Sequence, residues 1–355
     1  MDDRLIDDET LSLDRKSVLP GEGFFYPDSL AAERAREEAR ERVAGAETVV
    51  VADPDADGLA CVALIGTARG ETALLPASPH DLGDQLARAV EHLAEGATVY
   101  VCDLCPDDPS DLDALDELAE RTSAIAWYDH HEWTPELVEG VRDAGVELVV
   151  GDSDTVCTAD VALEELDYEF PDRFAELVAV TRDHDLWIRE DERSDDLADY
   201  AHWVDPEEYV ATVTEHGPDL PPEARELLSD RRVEKQALIE KAVERAERHE
   251  IGPWTVGVTY GRCSQNEVAE RLREEGTDAA VIVKPAGSAS LRGTDSFERC
   301  HEVAAQVNGG GHPKAAGCKP EIYDDMLDYA HHWSTRGAVT KQVILAAFDG
   351  LAPEA

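Results

Sequence analysis

Three aspartates at alternate positions in the first quarter of the chain could bind a divalent metal ion. They are Asp53, Asp55 and Asp57; they directly follow the apolar, β-branched run 48–52, and Gly58 comes next. Mg²⁺ and Mn²⁺ prefer carboxylate oxygens as ligands, and such a cation offsets the repulsion between neighbouring carboxylates. The pattern therefore predicts half of a metal site at the end of a buried strand.

Two other interpretations of this stretch have to be weighed. A Ca²⁺ loop of the EF-hand kind also begins D-x-D-x-D-G, but its twelfth position should be Glu and is Leu64 here. An ordinary acidic turn remains as the alternative, because Asp is a common turn residue and this chain is acidic throughout. Further motifs along the chain weigh against the plain turn.

Other candidate ligands also stand where predicted elements end. Asp103 follows the apolar run 98–102, a D-H-H motif follows the run 124–128, and a D-x-D motif closes a helical pattern. The residues of the last two motifs are Asp129, His130, His131, Asp183 and Asp185. One Asp after a strand is usually a cap or turn residue. Together, however, these carboxylates would repel one another in a shared crevice unless a metal ion were bound.

So many oxygen ligands fit two metal ions better than one. A bridging carboxylate such as Asp103 can hold two ions ~3.5–4 Å apart, which clamps the attacking and leaving oxygens of a phosphoryl group. Metal-bound water is the nucleophile in such sites. The ligand set therefore predicts phosphoester hydrolysis with two Mn²⁺ or Mg²⁺ ions.

Strand-like and helix-like segments alternate along the first half of the chain, which predicts an α/β fold with a mostly parallel sheet covered by helices. The predicted strands are 48–52, 72–75, 98–102, 124–128 and 146–150, and the predicted helices are 58–68, 81–94, 110–121, 135–144 and 155–166. Ligands of open α/β sheets lie beyond the carboxyl ends of the strands. The acidic motifs fall at those ends.

A long charged pattern without internal Gly or Pro, 222–249, predicts one long helix that joins two domains. After it a strand, a helix and a strand are expected at 255–260, 265–274 and 279–283, which indicates a second, smaller α/β domain. The predicted organisation is a lead-in and helix (1–44, with the helix from about 29 to 44), a catalytic metal-binding domain (45–220), a helical connector (221–250) and a substrate-binding domain with C-terminal helices (251–355).

A glycine run in the second domain could approach a phosphate closely. Gly309, Gly310 and Gly311 lack a Cβ atom, so their backbone N–H groups can reach an anion, and His312 and Arg292 could add charge-assisted contacts. The segment 251–320 holds eight basic and eight acidic residues and is neutral within a chain of net charge −47. An anionic ligand is therefore expected there.

The order of these motifs resembles the DHH phosphoesterase superfamily, which includes the RecJ exonucleases and oligoribonucleases. D-x-D-x-D-G, the strand-borne Asp103, D-H-H and D-x-D-x-W occur in that order, and S-L-R-G with N-G-G-G-H-P-K-A-A-G resembles the accompanying DHHA1 domain. The resemblance covers about residues 45–320. It implies a RecJ-like, metal-dependent phosphodiesterase.

The resemblance also implies individual roles. Asp55 and Asp57 resemble the first-motif ligands, with Asp53 in place of a His that some members carry earlier in the motif. Asp103 resembles the bridging ligand and His130 a ligand of the second ion.

Three further roles follow from the D-H-H and D-x-D motifs. Asp129 is expected to orient the imidazole of His130, and His131 is expected to face the scissile phosphate. The last ligand is Asp183 or Asp185; Asp183 is favoured, because family motifs often place a bulky apolar residue four positions later, as Trp187 is here.

The charge is exceptional, with 79 acidic against 32 basic residues spread through most of the chain. Such a surface suits concentrated salt, where screening removes the self-repulsion, so a haloarchaeal cytoplasm is the expected home. No secretory signal and no apolar run of ~20 residues is visible, and the scattered, odd number of cysteines fits reduced thiols. A membrane partner is therefore not expected.

The leading hypothesis is a nuclease that holds single-stranded DNA, RNA or an oligonucleotide. A cyclic or linear dinucleotide phosphodiesterase is the alternative substrate class, and a pyrophosphatase is a more distant one. The non-enzymatic alternative is a degenerate DHH scaffold that only binds nucleic acid, but every ligand position of the motifs is filled. The sequence leaves strand polarity, sugar preference and oligomeric state open.

Overall fold

The computed structural model describes residues 28–106, 108–324 and 326–352. Two compact units are present: residues 32–229 form the N-terminal unit, and the described residues from 230 onward belong to the C-terminal unit. The predicted lead-in before residue 28 lies outside the described residues. Each unit is built around its own β-sheet.

The N-terminal unit contains a five-stranded, fully parallel sheet in the order β2-β1-β3-β4-β5. All five residues of the first strand are buried, as expected for an apolar strand covered on both faces. Val49 and Val51 pack into one core cluster, whereas Val50 packs into another. The strands are β1 (Thr48–Ala52), β2 (Ala73–Pro76), β3 (Thr98–Cys102), β4 (Ala124–Asp129) and β5 (Glu147–Val150).

Helices pack against this sheet, and the second helix is the most deeply buried of them. Its first ten residues, from Ala56 to Ile65, are all buried, so its apolar surface is not confined to one stripe. The helices of this unit are α1 (Asp28–Val43), α2 (Ala56–Arg69), α3 (Leu82–His92), α4 (Leu115–Arg121), α5 (Pro135–Asp143), α6 (Thr158–Glu165), α7 (Asp172–Asp185), α8 (Glu192–Trp203) and α9 (Pro206–His216).

The C-terminal unit contains a six-stranded mixed sheet in the order β10-β11-β9-β8-β7-β6. Only β7 and β8 pair in parallel, and the other neighbours are antiparallel. Its strands are β6 (Glu247–Ile251), β7 (Trp254–Tyr260), β8 (Ala279–Val283), β9 (Ala289–Gly293), β10 (Gly309–Gly311) and β11 (Ala315–Cys318), and its helices are α11 (Gln265–Glu274), α12 (Cys300–Ala305), α13 (Met326–Thr335) and α14 (Ala338–Leu351).

The predicted fold class is confirmed: a parallel α/β sheet is followed in the chain by the 23-residue helix α10 (Pro222–Glu244) and by a second α/β unit. Two elements differ from the prediction. The helix expected at 110–121 is a 3₁₀ turn, Pro109–Leu112, followed by the short helix α4, and the helix expected to reach residue 249 ends at Glu244. The chain from Glu247 onward forms β6, which turns at Gly252 (φ +56°) and pairs with β7. Pairing along the sheet edge outweighs the local helical pattern there.

Among the described residues, no helix combines the length and the apolar character needed to cross a lipid bilayer.

Candidate metal centre

The strand order brings the predicted ligands to one edge of the parallel sheet. In the order β2-β1-β3-β4-β5 the direction of strand succession reverses between β1 and β3, and such a switch point opens a crevice at the carboxyl ends of the strands. Asp53 follows β1, Asp103 follows β3, and Asp129 is the last residue of the neighbouring strand β4. Three adjacent strands therefore end in carboxylates.

The first motif forms the start of helix α2. Asp55 is its N-cap, and its Oδ1 atom accepts hydrogen bonds from the N–H groups of Asp57 (2.9 Å) and Gly58 (3.0 Å). Gly58 has no space for a side chain, because a Cβ atom there would lie 2.2 Å from the carbonyl oxygen of Asp53. The tight turn leaves Asp55 exposed and directs Asp57 into the protein, where it is 1% exposed.

Asp57 is held by the start of helix α6. Its two carboxylate oxygens accept hydrogen bonds from the backbone N–H groups of Thr158 (2.6 Å) and Ala159 (2.8 Å). A helix N-terminus carries unpaired N–H groups and a partial positive charge, and it therefore stabilises a carboxylate.

Asp103 is buried and has an unusual backbone conformation. Its side chain is 4% exposed, and its Oδ1 atom accepts a hydrogen bond of 2.9 Å from the hydroxyl of Thr158. Its φ of +60° is left-handed, a region that Asp tolerates better than most residues but that still costs free energy. Strained backbone of this kind is found most often at functional sites.

The D-H-H motif contributes two imidazoles with different surroundings. The Nε2 atom of His130 lies 3.3 Å from Oδ2 of Asp185 and 3.8 Å from Oδ1 of Asp103. Asp129 was expected to orient His130, but its Oδ1 atom is hydrogen-bonded to Nδ1 of His131 at 2.8 Å, and its Oδ2 atom accepts the indole N–H of Trp133 at 2.5 Å.

The structure places Asp185, not Asp183, beside His130, whereas the spacing in the sequence favours Asp183 as the last ligand. Asp183 is buried, and its carboxylate accepts the backbone N–H groups of Glu190 (2.9 Å) and Asp191 (3.2 Å), so it closes the loop that follows α7. Trp187 in that loop has a left-handed φ of +57°. Asp185 instead faces His130.

The clustered carboxyl groups resist ionisation when no metal ion is present. Burial raises the pKa of Asp103 well above its usual range, and the charge of Asp57 adds to the shift. Burial and the charge of Asp55 raise the pKa of Asp57 to about 6 and that of Asp53 to about 7. Burial and the charge of Asp57 raise the pKa of Asp185 to about 8.

The pKa values of the two histidines shift in opposite directions. Burial lowers the pKa of His130, and the neighbouring charge of His131 lowers it further, so His130 is a neutral imidazole that can act as a ligand. Burial also opposes the charged form of His131, but the hydrogen bond and the charge of Asp129 outweigh burial and raise its pKa to about 9. His131 is therefore protonated at neutral pH.

This donor set fits hard divalent cations. Two groups of side chains offer ligand atoms that lie within 4.8 Å of one another inside each group. The groups are Asp57-His130-Asp185 and Asp103-His130-His131. The buried Oδ2 atom of Asp185 has no hydrogen-bond donor among the described residues. An unsatisfied buried carboxylate oxygen beside three other carboxylates is what an ion would neutralise. Asp53, Asp55 and Asp183 are not in either group.

We expect Mn²⁺ to stabilise the protein more strongly as the pH rises. The folded metal-free protein holds protons on carboxyl groups whose pKa values reach about 8, whereas the unfolded chain releases them near pH 4. Its stability should therefore fall between about pH 4 and pH 8, and the raised pKa of His131 acts in the same direction up to about pH 9. Mn²⁺ binds the ionised carboxylates and reverses this loss.

Melting temperatures in EDTA and in excess Mn²⁺ at about pH 5 and pH 8 test this expectation. The Mn²⁺-induced shift should be several-fold larger at the higher pH. A shift of equal size at both values would contradict the assignment of these carboxyl groups to a metal site.

The predicted anion-binding residues of the C-terminal unit lie on neighbouring strands. The glycine run is the edge strand β10, and Arg292 lies on β9 opposite Ala315 of β11. The guanidinium of Arg292 donates to Oδ1 of Asn266 (2.9 Å) and to the carbonyl of Leu291 (2.9 Å). His312 is in the turn between β10 and β11, with its backbone N–H bonded to the carbonyl oxygen of Ala315 at 2.7 Å.

The three glycines are not equivalent. A Cβ atom on Gly309 would lie 2.1 Å from the carbonyl oxygen of Gly317, and Gly311 has φ +131° and would meet Ala315 at 2.7 Å. Around Gly310 nothing lies within 4 Å of such an atom. Gly309 and Gly311 are therefore required by the hairpin itself, whereas Gly310 borders open space.

Sequence reasoning missed Thr158 and Trp133, which contact the candidate ligands. Trp133 is four residues after Asp129, and its aromatic ring packs edge-on against the buried Trp127 at 5.4 Å. Thr158 is about one hundred residues from Asp57 in the chain, and a hydrogen bond over that separation leaves no local pattern. The only signal in the sequence was the position of Thr158 in the first turn of the predicted helix 155–166.

Comparisons with known proteins show similarity at the level of the fold. No protein-family model matches the chain, and no curated protein matches it. Among solved structures, "exonuclease RecJ bound to manganese" aligns with a TM-score of 0.53 and 16% identity over 92% of this chain and 97% of that one.

RecJ from Thermus thermophilus in complex with Mn²⁺ aligns with a TM-score of 0.54 and 16% identity, over 93% of this chain and 56% of that one. The pGpG-specific phosphodiesterase PggH from Vibrio cholerae aligns with a TM-score of 0.49 and 11% identity, over 83% and 98%. The chain is thus structurally similar to RecJ over nearly its whole length, in agreement with the DHH-like order of its motifs.

Proposed function

We propose that the protein is a metal-dependent phosphodiesterase of the DHH superfamily. The observation that supports it most strongly is the gathering of Asp57, Asp103 and Asp185 around the imidazole of His130 at the carboxyl edge of the parallel sheet. Neither a structural salt bridge nor a solvated acidic turn explains four neighbouring carboxyl groups whose pKa values are raised by burial.

We propose that Asp57, Asp103, His130 and Asp185 would hold two Mn²⁺ or Mg²⁺ ions. Ions of this class supply an activated water and neutralise the charge of a phosphoryl group. The manganese in both RecJ structures supports Mn²⁺ as the first ion to test. Asp53 and Asp55 form the turn that directs Asp57 into the protein, and we propose that they hold Asp57 in place rather than bind the ions directly.

His131 would act on the phosphate directly. Its Nδ1 atom is engaged by Asp129, which leaves Nε2 as the atom that can donate a proton or a hydrogen bond to a phosphate oxygen. The raised pKa of His131 keeps that proton in place at neutral pH. Trp133 fixes the other oxygen of Asp129 and so limits rotation of the whole unit.

We propose single-stranded nucleic acid or short oligonucleotides as the substrate class. The segment 251–320 is neutral, although the whole chain has a net charge of −47. A polyanion therefore meets no excess negative charge in this segment. Arg292 and the glycine strand are in that segment, and we assign them to a phosphate other than the scissile one. The exonuclease name of the RecJ structure supports the same class.

A substrate panel tests this function. The chain would be incubated with Mn²⁺ in dilute and in molar KCl against single-stranded DNA, single-stranded RNA, a linear dinucleotide, a cyclic dinucleotide and pyrophosphate. Release of mononucleotides from the strands, faster in molar KCl because screening relieves self-repulsion, is expected. Turnover of dinucleotides alone would favour a small-nucleotide phosphodiesterase, and no turnover of any substrate would contradict the enzyme assignment.

We expect the substitution Gly310→Ala to weaken strand binding without affecting the fold. The added methyl group enters open space, so the melting temperature should stay the same, but the methyl group would obstruct a phosphate at the edge of β10. The value of kcat/KM should fall for a twelve-nucleotide strand by roughly tenfold and should not change for a dinucleotide.

Gly309→Ala provides the matched control, because its methyl group collides with Gly317 and should destabilise the C-terminal unit by more than ~1 kcal/mol. If Gly310→Ala lowers kcat/KM equally for both substrates, the glycine strand contacts the phosphate that is cleaved rather than a remote one. An unchanged kcat/KM for the strand would remove it from the substrate site.

A further inference from the structure

Thr158 contacts two carboxylates that belong to different ligand groups, one through its side chain and the other through its backbone. Thr158 is the first residue of α6 and is fully buried. Its hydroxyl donates to Oδ1 of Asp103 at 2.9 Å, and its backbone N–H donates to Oδ2 of Asp57 at 2.6 Å. Asp57 is in the group with Asp185, and Asp103 is in the group with His131.

The start of α6 is itself fixed in place. The backbone N–H of the preceding residue, Cys157, donates to Oδ2 of Asp160 at 3.0 Å, and Arg182 of α7 donates to the other oxygen of Asp160. Thr158 is β-branched, so few side-chain rotamers are open to it once the backbone is set. Its hydroxyl is therefore presented in one direction, toward Asp103.

The chemistry gives this hydroxyl a specific task. Two buried carboxylates of like charge tend to turn away from each other, and a ligand carboxylate must have one orientation to bind an ion well. A hydroxyl that occupies one lone pair of Oδ1 fixes the plane of the Asp103 carboxylate and leaves Oδ2 and the remaining lone pair available.

We propose that Thr158 is a positioning residue of the metal centre, which ties the Asp103 carboxylate to the Asp57 carboxylate through one rigid helix start. The inference rests on the proposed metal site but not on the identity of the substrate. It predicts that removal of the hydroxyl lowers metal affinity even when shape is kept. Hydrogen-bond partners of metal ligands typically change affinity by about 10- to 100-fold.

Isothermal titration of the full-length chain with Mn²⁺ tests it in the absence of any substrate. Thr158→Val keeps the shape and removes the hydroxyl, and its Mn²⁺ dissociation constant should rise at least about tenfold. Thr158→Ser keeps a hydroxyl, and its Mn²⁺ dissociation constant should stay within about threefold of that of the unsubstituted chain. Thr259→Val is the control, because Thr259 is a buried threonine of the C-terminal unit whose hydroxyl donates to the carbonyl of Ala242.

A second pair keeps the test decisive if Thr158→Val does not fold. Thr158→Ser and Thr158→Ala lack the same methyl group and differ only in the hydroxyl, so weaker Mn²⁺ binding by Ala than by Ser supports the inference. Equal Mn²⁺ affinity in the two variants, or in Thr158→Val and the unsubstituted chain, overturns it and leaves the proposed function standing. Failure of the unsubstituted chain to bind Mn²⁺ overturns both.

Discussion

Replacing Asp103 by Asn is expected to lower the rate of phosphodiester hydrolysis by a factor on the order of 10³ or more, because a buried carboxylate of the proposed metal centre is lost. The fold should persist. Asn tolerates the left-handed φ of +60° as well as Asp does, and its amide oxygen can still accept the hydroxyl of Thr158. Asn does not titrate, so the cost of protonating or ionising a buried Asp103 disappears, and the melting temperature of the metal-free protein near pH 8 should stay the same or rise.

Kinetics with saturating Mn²⁺ and thermal melts in EDTA give the two readouts for Asp103→Asn. His130→Ala should show the same loss of rate, since His130 is common to both ligand groups. Retention of more than about a tenth of the original rate by either variant is incompatible with the assignment.

Asp185→Asn and Asp183→Asn are expected to fail in different ways. Asp185 faces His130 at 3.3 Å, so its substitution should abolish most of the Mn²⁺-induced rise in melting temperature and lower activity by at least ~100-fold. Asp183 binds two backbone N–H groups, and an amide can accept only one of them well. Its substitution should reduce the free energy of unfolding by roughly 1–3 kcal/mol.

The two variants serve as controls for each other, because they make the same chemical change two residues apart. Melting curves with and without Mn²⁺ separate them: Asp183→Asn should melt lower but keep its Mn²⁺ response. The reverse pattern, with the Mn²⁺ response lost in Asp183→Asn alone, would restore the preference that the sequence motif suggests.

The sheet could be predicted closely because its signals are local. β1 is a run of small and β-branched apolar residues followed at once by Asp-Pro-Asp, and the structure has the strand at the predicted residues, Thr48–Ala52. The convergence of Asp57 and Asp103 on one crevice also follows from sequence, since carboxyl ends of parallel strands share one edge.

The parts that could not be predicted depend on contacts between distant residues. The sequence favours Asp183 over Asp185 because of its spacing to Trp187. The placement of the two carboxylates depends instead on a loop in which Trp187 and Arg189 both have a left-handed φ near +57° and that folds back onto Asp183. Likewise Thr158 is important only because β5 ends where α6 can begin beside Asp57. The end of α10 depends on the pairing of β6 with β7.

Locating the metal ion itself would test the proposed metal centre without any assay of activity. Crystals of the full-length chain grown with MnCl₂ would be measured at the manganese absorption edge, where anomalous scattering identifies the ion independently of any assay. Manganese peaks are expected within ligand distance, about 2.0–2.3 Å, of carboxylate oxygens of Asp57, Asp103 and Asp185 and of Nε2 of His130. No peak at these four side chains, or manganese only elsewhere on the acidic surface, would contradict the proposed metal centre.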